Sequence, residues 1–439
     1  MRLRRGGSVS TTRIALPRAL SALRHRNFRL FFFGQLISLI GTWMQTTAQG
    51  WLIVMLVPAR ESNLYLGIVT MSASLPMMFA TFFGGVLADR HDKRKILIIT
   101  QTSALIQAFI LAAVVYAGSV QVWHVVVLSF FLGLTNAIDM PTRQAFITEM
   151  VGNEDLGNAI ALNSSIFNNA RAFGPAITGL LLAAHVRIGD CFTLNALSFV
   201  AVIVGLLMMR PRELKRSAPQ KMRVREGLRE ALTYLKQHRG MKLLIMLVSV
   251  MSVFGMAYVV LLPSFAKYIL HTDARGYGLL QTGIGLGALA GGITLASLSM
   301  MSRRVKFPLM AGAAYTALIV AFAFDRSLTL AFINAMLIGA SFAFMFPICN
   351  TLIQLNTPDY LRGRIMAIYS LMFIGMTPIT GLLAGAIGRF LGSPVAIGFG
   401  GGVSLLVLGV TFFTMYPALK TLNRMKPLDG WETPRNGRS

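Results

Sequence analysis

Acidic residues are scarce in this chain. Its 439 residues hold 16 Asp and Glu against 41 Lys and Arg, and charged residues of both signs make up only 13%. A soluble domain carries about a quarter charged residues, so a surface wetted on all sides is excluded. Cysteine is nearly absent. Cys191 and Cys349 are the only two, with no metal-ligand spacing around them. They fall near opposite faces of the spans below, so no disulfide between them is expected. No nucleophile with a base, metal-ligand cluster or phosphate-binding loop stands out, which leaves an enzyme without support and implies no cofactor. The first 28 residues are basic and polar without an apolar core, so no cleavable signal peptide is expected.

What the chain has is apolar length. It is 55% hydrophobic, with 25 Met and 29 Phe, and its apolar stretches match the roughly 20 residues a membrane span requires. The spacing predicts helices at 28–57, 64–88, 96–117, 120–142, 157–184, 190–209, 241–265, 276–300, 305–323, 327–350, 363–388 and 393–416. The expected fold is therefore all-α and integral to a membrane, with twelve transmembrane helices. The domains read as a basic N-terminal segment (1–27), a six-helix bundle (28–209), a polar linker (210–240), a second six-helix bundle (241–416) and a tail (417–439). Within the linker, Val224–Gln237 has the pattern of an amphipathic surface helix.

A formal charge of +25 raises the question of nucleic acid, but the basic residues sit in loops between apolar helices. With the N-terminus on the cytoplasmic side, 34 of the 41 Lys and Arg fall on that side, six on the other, and Arg171 lies inside a helix. That bias predicts both termini in the cytoplasm and a bilayer, not nucleic acid, as the partner.

The halves also repeat. I-T-G-L-L occurs at 177–181 and again at 379–383, and the ends of helices 4 and 10 read D-M-P and M-F-P around Pro141 and Pro347. The nearly equal offsets point to a parallel duplication, an arrangement that places a site between the halves near the bilayer midplane. The duplication sets Phe373 opposite Arg171.

Four segments carry candidate site residues. G-G-V-L-A-D-R-H-D-K-R-K runs from Gly84 to Lys95. In it Gly85 permits close helix approach, and Asp89 stands beside Arg90, Lys93 and Arg94, either as a latch that switches partners or among residues that only anchor topology. N-A-I-D-M-P-T-R-Q runs from Asn136 to Gln144, and Asp139 and Arg143 in it share a helix face. In helix 5, Ser164, Asn168 and Arg171 recur at helical spacing. Arg171 sits near mid-span, where a charge costs about 3 kcal/mol or more. Because it cannot lose its proton, it requires a partner, a wet cavity or an anionic ligand. Two readings stand: pairing with Asp139, or recognition of a polar or anionic substrate. In helix 1, Gln35, Ser38, Thr42, Gln45 and Gln49 form one polar stripe that must face protein or water, either lining a cavity near Trp43 and Trp51 or bonding to other helices.

The Gly84–Lys95 loop resembles the signature loop of the major facilitator superfamily, with Asp92 where that signature usually has Gly. Five stretches resemble the branch that contains the bacterial enterobactin exporter and macrolide or multidrug efflux proteins. They are R-N-F-R-L-F-F-F-G-Q-L-I-S-L-I-G-T-W-M-Q from Arg26, D-M-P-T-R-Q from Asp139, A-R-A-F-G-P from Ala170, C-F-T-L-N-A-L-S-F from Cys191 and L-R-G-R-I-M-A-I-Y from Leu361. Gly174 and Pro175 partly resemble the helix-5 bend of drug antiporters; only Gly179 follows. The resemblance implies a bacterial inner-membrane transporter, working as a monomer by alternating access. It implies export of small amphiphilic or anionic molecules such as drugs or siderophores, against protons. It also implies a charge relay joining Asp139 to Asp89 and Lys93, which makes Asp139 the proton-coupling candidate. Import, facilitated diffusion or lysolipid movement on the same fold is the alternative.

Overall fold

The computed structural model describes residues 18–152, 154–215, 224–297 and 306–420. Most of the 1–27 segment, part of the linker, and the tail from 421 on lie outside the described residues. The described residues form helices and no strand. After a 3-10 turn at Arg18–Arg24 come α1 (Arg26–Leu56), α2 (Ala59–Arg90), α3 (Lys93–Tyr116), α4 (Val122–Val151), α5 (Leu156–Ala183) and α6 (Ile188–Leu207). The amphipathic α7 (Val224–Gln237) leads into the second half: α8 (Arg239–Val253), α9 (Ala257–Tyr268), α10 (Ala274–Ser297), α11 (Lys306–Ala323), α12 (Leu328–Leu355), α13 (Asp359–Phe373), α14 (Thr377–Leu391) and α15 (Ser393–Lys420).

Ten segments among the described residues are long and apolar enough to cross a bilayer, with α8–α9 and α13–α14 each counting as one. The other two spans of the expected twelve are α1 and α5, 31 and 28 residues long. At 1.5 Å per residue both exceed the hydrocarbon thickness, and their polar stripes are what lower their hydropathy. Two of the expected helices are broken. The seventh is interrupted at 254–256 and the eleventh at 374–376. The chain reads F-G-M at the first break and I-G-M at the second. The expected helix 4 was too short: α4 continues to Val151.

The two halves pack alike. In the first, α2 lies on α4, and α6 on α1 and α3; in the second, α10 lies on α12, and α15 on α8 and α11. Small residues set the closest approaches, as expected where lipid supplies no hydrophobic drive between helices. A Cβ on Gly133 of α4 would stand 2.0 Å from the Ala73 carbonyl oxygen of α2. α7 is tied to the second half by the Tyr234 hydroxyl, which donates to the Asn356 carbonyl at 2.9 Å, and by a Glu230–Arg364 ion pair. Ahead of α1, Arg24 and His25 both meet Asp155 in the α4–α5 turn, at 2.8 and 2.7 Å. The His25 hydrogen bond holds the Asp155 carboxyl below its ordinary range.

The halves meet through α2 on α14 and α5 on α10. Both seams are tight at one end only. Gly67 packs on Gly381 and Gly385, and Gly179 on Gly278. Farther along, towards the face that carries the N-terminus and the α2–α3 loop, the seams open. Ala172 still touches Gly285, whereas one helical repeat on Gly292 faces open space and Ala161 and Ser165 are exposed. Gly85 on α2 and Gly363 on α13 likewise face open space. The halves are therefore parted on the basic face and sealed on the opposite one.

This difference is measurable. Gly133→Val should lower the thermal unfolding midpoint in detergent, since overpacking a helix contact costs about 1–3 kcal/mol or more. Gly85→Val should leave the midpoint close to wild type, because in this conformation it meets no neighbour. Equal losses would show that the basic face is closed.

Candidate functional site

The α1 stripe turns into the first half. Gln35, Ser38 and Gln45 are buried. The Gln45 amide donates to Gln107 Oε1 of α3 at 3.2 Å and its Oε1 accepts from Asn195 Nδ2 of α6 at 2.7 Å. Gln49 donates to the Ser129 hydroxyl of α4 at 2.9 Å, and Thr42 back-bonds to the Ser38 carbonyl. In hydrocarbon such amides would have no partner; Gln45 and Gln49 find theirs on other helices, whereas the Gln35 amide is buried with no hydrogen-bond partner among the described residues. Beside the stripe on α1 stands Trp43. It stacks edge-on against Phe167 of α5, ring centres 5.9 Å apart.

At the basic end of the first half, α3 and α4 hold two ion pairs. Asp139 is buried and paired with Arg143, and it accepts hydrogen bonds from Thr100 Oγ1 (2.8 Å) and Gln101 Nε2 (2.9 Å) of α3. Lys93 pairs with Glu149 of α4 at 2.8 Å, both nearly buried. Arg94 donates to the carbonyls of Leu206 and Leu207 at the end of α6. Asp92 caps α3 by accepting from the Lys95 amide. Asp89 and Arg90 are exposed at the parted face. Lys93 thus meets Glu149 in this conformation, in place of the expected Asp89 and Asp139. Glu149 lies beyond the span expected for helix 4, and only the continuation of α4 to Val151 puts it on the same helix as Asp139.

Arg171 lies near the middle of the 28-residue α5. Asp139 pairs with Arg143, and among the described residues no carboxylate pairs with Arg171. Its guanidinium lies instead over two rings, Trp43 at 5.7 Å and Phe342 of α12 at 4.9 Å. The second of these bridges the halves. Behind Phe342 stands a cluster from α11, α12 and α13. Phe346 lies 4.6 Å from Phe342 and 4.8 Å from Phe373, Tyr369 lies 6.1 Å from Phe373, and Tyr315 lies 6.1 Å from Phe342. The helix breaks hold this cluster in place. The carbonyl of Gly255, left free by the first break, accepts the Tyr315 hydroxyl at 2.9 Å. Ser252 donates to the Phe373 carbonyl just before the second break. Only the F-G-M and I-G-M punctuation hinted at these breaks in the sequence. Ser164 is exposed on the parted part of α5, and the side chain of Asn168 lies outside the described residues. α5 stays helical through Gly174 and Pro175, and Gly174 lets Trp43 and the α1 backbone approach.

The sealed face is held by polar contacts between halves. Glu61 pairs with Arg389 at 3.0 Å. Asn63 donates to the Gly388 carbonyl at 2.8 Å, and Lys267 to the Val54 carbonyl at 2.6 Å. Trp51 stacks on Tyr277, ring centres 5.9 Å apart.

Residues 18–436 match the model of a family described as transmembrane secretion effector. The chain is 24% identical to the staphyloferrin A transporter of Staphylococcus aureus, over 81% of this chain and 88% of that one. It is 24% identical to the multidrug efflux pump Tap of Mycolicibacterium fortuitum (91% and 96%). It is also 24% identical to the enterobactin exporter EntS of Shigella flexneri (93% and 96%). Among solved structures, the D-xylose-proton symporter superposes with a TM-score of 0.68 at 14% identity, covering 90% of this chain and 98% of that one. A bacterial homologue of the human lysosomal transporter Spinster, in an inward-facing conformation, superposes with a TM-score of 0.63 at 13% identity (93% and 98%). At such identities the structures speak for the fold.

The seal yields a test. Glu61→Gln removes a half-exposed ion pair worth about 1 kcal/mol or less and should shift the population toward opening on the sealed face. Distances between spin labels placed on α2 and α14 at that face should broaden toward longer values. An unchanged distribution would assign the seal to the glycine packing alone.

Proposed function

The chain belongs to the transmembrane secretion effector family of the major facilitator superfamily, and on that premise we propose that it exports small amphiphilic or anionic molecules, such as drugs or siderophores, by alternating access against inward proton flow. The observation that carries the reading is the gap between the halves on the basic face, which leads to Arg171 and the ring cluster. By the positive-inside rule that face is cytoplasmic, so the described conformation takes up its load from the cell interior. The names of relatives matching over nearly their whole length, an efflux pump and an exporter, support the outward direction.

In this reading Trp43, Thr42, Ser164 and Arg171 line the first-half wall of the substrate path, with Phe342 and Phe373 opposite. The buried amides of α1 hold the wall rigid. Asp139 carries the proton. Protonation would cancel its charge and free Arg143, while Thr100 and Gln101 retain the acid in place. Closing the basic face brings Gly85 of α2 toward Gly363 of α13, where Asp89 and Arg90 stand ready to find new partners. The likeness to a D-xylose-proton symporter keeps inward transport on the same fold as the second reading.

Cells expressing the protein separate the two. Dye or siderophore accumulation should rise when the proton gradient is collapsed; a fall would establish import. In proteoliposomes, Asp139→Asn should abolish gradient-driven transport while substrate exchange persists. Loss of exchange as well, in a folded protein, would make Asp139 a structural acid.

A further inference from the structure

Resting on the transport reading, the geometry points to a defined substrate class: we propose that Arg171 recognises a planar carboxylate carried on an aromatic body. The argument begins with charge. Arg171 is permanently protonated and sits in mid-span, yet no carboxylate among the described residues pairs with it. Asp139, the membrane acid nearest in sequence, is held by Arg143, Thr100 and Gln101. A cation so placed is stabilised by rings and by whatever enters the gap.

Geometry narrows what can enter. Trp43 and Phe342 lie over the guanidinium at 5.7 and 4.9 Å. Ring contacts of this kind satisfy none of the guanidinium's N–H donors. They leave its edge, with the parallel N–H pairs, for a ligand. The ligand that matches such an edge is a carboxylate, bound through two charge-assisted hydrogen bonds.

The body of the ligand is set by what surrounds the anion site. Phe342 and Phe373, both partly exposed, front a wall of rings completed by the buried Phe346 and Tyr369, with centres 4.6 to 6.1 Å apart. Offset and edge-on contacts with such a wall favour a flat aromatic guest. A lipophilic cation would meet the same rings but also a like charge, so the site discriminates against it. Phe373 occupies the repeat position of Arg171. The duplication therefore provides one charged and one aromatic contact for one ligand, from opposite halves. Because Phe342 and Trp43 belong to different halves, the clamp exists only while the halves are arranged as here, and the other conformation releases the guest.

The test uses the purified full chain in lipid nanodiscs and isothermal titration with 2-naphthoate, its uncharged amide 2-naphthamide, and the cation 2-naphthylmethylammonium. The acid should bind about tenfold or more tightly than the amide, as two charge-assisted hydrogen bonds imply, and the cation most weakly. Arg171→Gln should remove the preference for acid over amide. Arg171→Lys should retain part of the preference, and Phe342→Leu should weaken acid and amide together. Size-exclusion profile and thermal midpoint confirm folding of each variant. Equal binding of acid and amide, no binding of the acid, or an acid preference that survives Arg171→Gln would each overturn the proposal. Failure of the transport reading looks different. Arg171-dependent acid binding without movement of any solute in proteoliposomes would sink export and leave the site; dye export without acid preference would do the reverse.

Discussion

Hydrocarbon offers no hydrogen-bond partner, and the rest of this structure follows from that constraint. Each backbone group must be satisfied inside its own helix, so the described chain is helical throughout. Each polar side chain must be satisfied by another helix. Gln45 therefore joins Gln107 and Asn195, Gln49 joins Ser129, and Asp139 gathers Arg143, Thr100 and Gln101. These contacts lie within the first half, and they make it a rigid body.

Where the constraint is relaxed, the protein has its moving parts. The two helix breaks at 254–256 and 374–376 free backbone carbonyls at membrane depth, which is tolerated only inside protein or beside a wet cavity. Tyr315 and Thr380 satisfy part of the exposed backbone near those breaks. Both breaks lie in the second half, around its ring cluster, while α1 and α5 of the first half remain unbroken. The halves thus differ in backbone continuity as well as in chemistry: one presents a cation on an unbroken helix, the other an aromatic wall beside two broken ones.

The contacts between halves are of a third kind. On the sealed face they combine close glycine packing with a few polar bonds, among them Glu61–Arg389 and Asn63–Gly388. A half-exposed ion pair contributes about 1 kcal/mol or less, and small-residue packing lets helices slide without breaking a cooperative core. Such a seam suits an interface that must open and re-form on each transport cycle.

The sequence by itself determined the helical class and order of the spans, the basic bias between loops, the repeated segments, and the residues with unusual chemistry. These depend on local composition, because a bilayer demands a fixed apolar length and a charge penalty that any window of the chain reveals. It placed Arg171 and Asp139 on helices but left their partners open. Only the tertiary structure decided those. Asp139 took Arg143 and the α3 side chains; Lys93 took Glu149; the α1 amides turned inward; and Arg171 came to rest between Trp43 and Phe342. The physical reason is range. Helical periodicity says which residues share a face, but which face meets which neighbour is set by close packing between helices far apart in the chain. The pairing of Arg171 with rings across the gap depends on how two separately folded halves lean on one another.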